Sequence, residues 1–226
     1  MRLPGFAVHA AIVALVASAA ATTVAMAQDS VDQRAAAEAR LPLFAPLDAS
    51  GPIPFNISVD PEALAATSGD AQLCRWALAD WAAAVPGRLR FEASEADAAL
   101  LHIRFVPAQA GQYGEMRPLL IDGRRGAAVF VRPNTDALGP EVAARAVEDA
   151  LFRDSVVYLT CLHELGHALG LAHTDRFEDV MYFFGFGGDI EAFFGRYRTG
   201  ISARADIEGH SGLSDADRAR LRELYD

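Results

Sequence analysis

The chain contains no lysine; all 20 of its basic side chains are arginines, set against 30 acidic ones. Together with the high alanine content, this reads as coding bias rather than function. The resulting net charge of −10 argues against nucleic acid or an anionic membrane as partner. Cysteine is nearly missing. Cys74 and Cys161 permit one disulfide in an oxidising compartment, or two buried thiols, and composition does not choose between them. Long apolar runs are scarce too: beyond residue 27 nothing approaches the ~18 consecutive apolar residues of a spanning helix. Histidine is sparse, with six in the whole chain.

The one apolar run of note comes first. Met1 and Arg2 lead into AIVALVASAAATTVAM, and the stretch ends at Ala25-Met26-Ala27, the small-x-small pattern that a signal peptidase cuts. Its middle is rich in Ala, Ser and Thr, and no basic stop-transfer cluster follows it. Residues 1–27 are therefore expected to be a cleaved signal peptide rather than an anchor. The mature chain is then soluble and secreted or periplasmic, with no stable membrane insertion. Losing Arg2 takes the net charge from −10 to −11. The remaining ~199 residues suit one domain with a real core, taken here as a monomer.

Residues 28–50 are polar and Ala-rich, then punctuated by proline, and read as a leader arm or short pro-segment. The ordered domain is expected over 51–226. Ile53, Phe55, Ile57 and Val59 alternate as a strand should. In DAQLCRWALADWAAAV, Cys74, Ala77, Leu78, Trp81 and Val85 repeat at helical spacing, and Pro86-Gly87 ends the helix. LRFEA and AALLHIRFV read as strands, with His102 on the face opposite Leu101, Ile103 and Phe105, so a solvated residue rather than a ligand. Residues 107–126 form a Gly-punctuated loop region with at most a short strand at 118–121. GAAVFVRP is a further strand. From Gly139 onward the pattern is helical, with a break expected near Arg153 and Asp154, where Asp154 or Ser155 caps the second helix. No internal repeat is visible. This order predicts an α+β fold: one mixed twisted sheet with helices on one side.

Three of the six histidines fall in HELGHALGLAH, residues 163–173. On a helix His163 and His167 are i and i+4 and project from one face. Gly170 signals the helix end, because glycine takes the left-handed conformation cheaply, and the chain can then bring His173 round. Three nitrogens with an open fourth position describe a catalytic rather than a structural zinc site. Glu164 stands beside them as a general base that no structural site needs.

This run is similar to the HExxHxxGxxH motif of the metzincin zinc metallopeptidases. Metzincins carry a methionine turn beneath the metal, and here DVMYF places Met181 eight residues after His173. That gap, the Met-Tyr pair and Thr174 most resemble the matrixin branch. HSGLSDADRARLRELY resembles the closing matrixin helix, and Ser214 with Asp217 makes a capping-box-like start. FEASEADAALLHIRF resembles the strand segment that follows the first matrixin helix.

The resemblance implies a metzincin-like fold with an active-site helix and a C-terminal helix, and a secreted zinc endopeptidase. It implies His163, His167 and His173 as metal ligands, Glu164 as catalytic base and Met181 as floor. A protein or peptide substrate would lie extended along an edge strand, for which GAAVFVRP is the candidate. If helix 70–85 packs beside the active-site helix as in metzincins, Cys74 and Cys161 are placed to bond. The sequence departs from the family in several ways. No histidine lies between His102 and His163, so one zinc is expected and no second, structural one. Residues 28–50 hold no cysteine, so latency through a thiol is not expected. Of the five phenylalanines over 183–194, most should complete the core, with one or two lining the pocket for the residue after the scissile bond. Two other readings stay open: a non-catalytic, zinc-stabilised peptide-binding module, and a narrow-specificity envelope processing protease.

Overall fold

The computed structural model describes residues 40–108 and 113–226. The expected signal peptide and residues 28–39 of the expected leader arm lie outside them. Residues Pro42–Asp226 form one compact unit; of the unit before it, Met1–Leu41, only Arg40 and Leu41 are described.

The elements in chain order are β1 (Ile53–Val59), α1 (Asp70–Ala84), β2 (Phe91–Ala93), β3 (Leu101–Phe105), β4 (Gly114–Ile121), β5 (Arg124–Val131), α2 (Pro140–Glu148), α3 (Ala150–Ala168), α4 (Ile190–Arg198) and α5 (Asp215–Tyr225). The sheet order is β2-β1-β3-β5-β4. The first four of these strands run parallel, and β4 pairs antiparallel with β5. Alternation along β3 sends Leu101, Ile103 and Phe105 into the core and leaves His102 half-buried on the other face.

This order corrects the expected edge. GAAVFVRP forms most of β5, which lies between β3 and β4, so the edge strand on that side of the sheet is β4. The reason is a two-residue hairpin turn at Asp122 and Gly123, with φ of 49° and 75°, which folds the supposed loop back as a full strand of 8 residues. Two consecutive positive φ values are the backbone of a type I′ turn, whose twist matches that of the flanking strands. Pro118 is tolerated because it sits on the edge, where a missing N–H breaks no interior ladder.

The helical break is also displaced. Asp149, not Asp154 or Ser155, caps α3, its carboxylate accepting from the N–H groups of Leu151 and Phe152 at 3.0 and 3.1 Å. Arg198 pairs with the same carboxylate at 2.8 Å. Asp154 is buried instead as partner of Arg204 and Arg153, and Ser155 bonds back to the Leu151 carbonyl at 2.7 Å.

Helix α3 is the structural centre: nearly every residue from Phe152 to Ala168 is buried, which is why its sequence is apolar on all sides. Helix α1 lies beside it. Trp81, fully buried, donates its indole N–H to the Leu162 carbonyl at 2.9 Å, and Cys74 is joined to Cys161 by a disulfide. None of the described helices is long and apolar enough to cross a membrane.

Candidate metal centre

A helix buried on all sides has no ordinary use for His163, Glu164 and His167, so these positions need a reason other than packing. The helix ends where the metal motif requires. Gly170 adopts φ +104°; its N–H bonds to the His167 carbonyl at 3.0 Å, and the Leu171 N–H to the Gly166 carbonyl at 2.9 Å. This pair of bonds is a Schellman turn, and the positive φ explains the glycine. The chain then reverses and returns His173 to the face that carries the other two. The returning segment is fixed by backbone pairing of Thr174 with the methionine turn, to Met181 at 2.8 Å and from Phe183 at 3.0 Å.

One nitrogen from each of His163, His167 and His173 lies within 4.8 Å of the others, the only such group among the described residues. His102 and His210 do not join it. The His173 Nε2 stands 3.3 Å from that of His163 and 3.0 Å from that of His167. Nδ1 of His163 meets the Val180 carbonyl at 2.7 Å, and Nδ1 of His167 the Leu171 carbonyl at 2.8 Å. A carbonyl can only accept, so both Nδ1 atoms carry the proton and both Nε2 atoms present lone pairs to the same point. Burial pushes the His163 imidazole down to about 4 and that of His167 to about 3, so both rings are neutral, which is the ligating form. Converging lone pairs with second nitrogens tied to carbonyls are the donor set of a divalent metal, and the residues fit zinc.

Met181 is fully buried beneath this centre. A side chain on Gly166 would place its Cβ 2.4 Å from the Met181 sulfur and 3.0 Å from Trp81, so Gly166 within HELGH is matched to the methionine floor. The C-terminal helix reaches the same turn. Asp217, fully buried, accepts from the Val180 N–H at 2.8 Å and from Arg220 at 2.6 Å, and Ser214 caps the helix as its spacing with Asp217 predicts. The Val180 backbone is thus held by Asp217 through its N–H while its carbonyl orients His163. Replacing Asp217 by alanine should cost about 3 kcal/mol by orphaning the buried Val180 N–H and leaving Arg220 with Asp179 as its remaining carboxylate partner. Denaturant unfolding of the metal-free protein checks this, and zinc content should fall in parallel.

Glu164 is buried beside the metal face at 7% exposure. Burial pushes its carboxyl up to about 8, helped by the Glu115 charge and opposed by Arg132. The edge strand comes close here: a Cβ on Gly114 would fall 2.4 Å from a Glu164 carboxylate oxygen. In the sequence Gly114 carries no signal beyond being one glycine of a punctuated stretch. The cavity next to Glu164 measures about 370 Å³ and reaches from Gly114 past Thr160 and Leu159 to the phenylalanine segment. Phe183, Phe184, Phe193 and Phe194 all line it, more than the one or two expected. Phe193 and Phe194 serve the core at the same time, because helix α4 stands directly behind the cavity. Phe183 and Phe186 are exposed at 44% and 64%.

Comparison with curated proteins gave no match. The model of the matrixin peptidase family matches residues 49–186, more than half of the 226 residues and inclusive of the histidine motif and Met181. A five-stranded sheet with an antiparallel edge, a histidine triad at the end of its central helix, a methionine beneath it and this match together establish that the chain belongs to the matrixin family of zinc-dependent metalloendopeptidases.

Proposed function

We propose that the protein acts outside the cytoplasm as an endopeptidase with one catalytic zinc. His163, His167 and His173 would hold the ion, and Glu164 would be the general base. The observation that carries this reading is the convergence of three imidazole nitrogens beside a buried carboxylate that no structural metal site requires. Zinc, when bound, supplies the Lewis acidity that acidifies a water and polarises a carbonyl. Glu164 takes the proton from the attacking water and delivers it to the departing amine nitrogen.

The substrate would lie extended along β4 by strand addition, since β4 is the outermost strand on this side of the sheet and passes Glu164 at Gly114. The residue after the scissile bond would enter the 370 Å³ cavity. Its phenylalanine-rich lining favours a large apolar or aromatic side chain there. Export is supported by the disulfide and by the expected signal peptide.

Cleavage of a quenched peptide library by the mature chain, with zinc content measured alongside, tests the reading. One zinc per chain, with cleavage before large apolar residues, is the expected result. Cleavage at a single motif only would favour a narrow processing enzyme. Zinc binding without any cleavage would sink the enzymatic assignment of the site.

A further inference from the structure

We infer that residues 42–47 form a strap that completes the metal centre, with Phe44 as a positioning residue for His167. This rests on the metal reading above. The Phe44 ring stacks on the His167 imidazole, with centroids 4.7 Å apart and planes 24° from parallel, and stands edge-on to His173 at 6.3 Å. The hydrogen bond from Nδ1 to the Leu171 carbonyl fixes one point of the His167 ring. A point contact leaves the tilt of the ring plane free; a stacked face removes that freedom and keeps water from that side.

The strap is itself built into the fold rather than resting on it. The Arg125 guanidinium donates to the carbonyls of Pro42, Leu43 and Ala45 at 2.8, 3.0 and 2.9 Å, so the two residues that flank Phe44 are held by one side chain. Farther on, Leu47 is buried and its N–H donates to the Tyr225 hydroxyl at 3.0 Å, which in turn donates to the Leu169 carbonyl at 3.1 Å. Between these anchors the strap crosses the end of α3 so closely that a Cβ on Gly170 would lie 2.8 Å from the Pro46 nitrogen. Gly170 therefore serves twice, through its φ and through the absence of a side chain. Arg125 is the second residue of β5, so the strap ties that strand, the metal helix and the C-terminal helix together at the second ligand.

The test compares wild type with Phe44→Ala, Phe44→Tyr, Phe44→Leu and Arg125→Gln. The readouts are the zinc dissociation constant by chelator competition and the visible spectrum of the cobalt-substituted protein. Phe44→Ala should weaken zinc binding about tenfold or more, the usual cost of removing a group that orients a ligand, and should shift the cobalt bands. Phe44→Tyr should restore both. Arg125→Gln, which touches neither metal nor ring, should move both in the same direction by less. Melting of the metal-free variants separates these effects from misfolding. Equal zinc affinity and an unchanged cobalt spectrum in Phe44→Ala would overturn the positioning role, as would full restoration by Phe44→Leu, which covers without stacking. Failure of the wild type to take up zinc would instead remove the metal reading beneath it.

Discussion

Glu164→Ala is expected to retain its zinc and to lose between a hundredfold and ten-thousandfold in kcat, the range that one positioned general base contributes. Zinc should stay because the carboxylate is no part of the converging nitrogen set. Both Nδ1 anchors, at Val180 and Leu171, are independent of it. Glu164→Gln keeps the shape and removes only the basicity, so equal losses in the two variants would assign the effect to proton transfer. A second readout follows from burial. The metal-free protein carries a carboxyl raised to about 8 from an ordinary value of 4.5. A raised carboxyl costs stability wherever the unfolded chain is ionised and the folded one resists ionisation, so the penalty grows as pH rises from about 4.5 to about 8. Metal-free Glu164→Gln should therefore melt above metal-free wild type at pH 7, and the difference should vanish below about 4.5. Zinc content with single-turnover cleavage measures the first effect, and a pH series of melts the second. Loss of zinc together with activity in Glu164→Gln would show the carboxylate to be part of the metal centre instead of the base beside it.

The histidine cluster was legible in the sequence because it rests on local geometry. Helical spacing alone puts His163 and His167 together, and a glycine at 170 lets the chain turn to bring in His173. The alternating strands and the cap at Ser214 are local in the same sense. What escaped depends on contacts distant in sequence or on weak patterns. Strand β4 reads Gly-Glu-Met-Arg-Pro-Leu-Leu-Ile, without alternation and with a proline, so only the Asp122-Gly123 pair announced the hairpin. Asp149 and Asp154 are equally good caps in isolation; Arg198 pairs with the first and Arg204 with the second, and those arginines lie some fifty residues later. The strap around Phe44 has no periodicity at all. Its place is set by Arg125 and Tyr225, which sequence reading had no means to bring near it.

Replacing both Cys74 and Cys161 by alanine should lower stability by ~4–5 kcal/mol in the chain-entropy model, because the bond closes a loop with a sequence separation of 87. For a domain of this size that is a fall in melting temperature on the order of 10 °C or more. Both cysteines are fully buried at the α1–α3 contact. The bond therefore constrains the unfolded chain while the folded packing around it stays nearly as it is: two small thiol-sized groups are lost from a contact that Trp81 and Leu162 continue to hold. The unfolded-state origin has a kinetic corollary. If α1 docks on α3 by the time of the transition state, the loss falls on the refolding rate, which should slow by most of the change in the equilibrium constant. Thermal melts of the double variant, with refolding and unfolding rates in denaturant, check both statements. A melting temperature within about 1 °C of wild type would show that the unfolded chain gains little freedom when the loop opens. Activity gives a further discrimination. Cys161 precedes His163 by two positions and faces the opposite side of the helix, so at temperatures where the variant is folded its zinc affinity should match that of wild type. A loss of zinc affinity there would mean that the bond fixes the position of α3 under the metal, and not only the freedom of the unfolded chain.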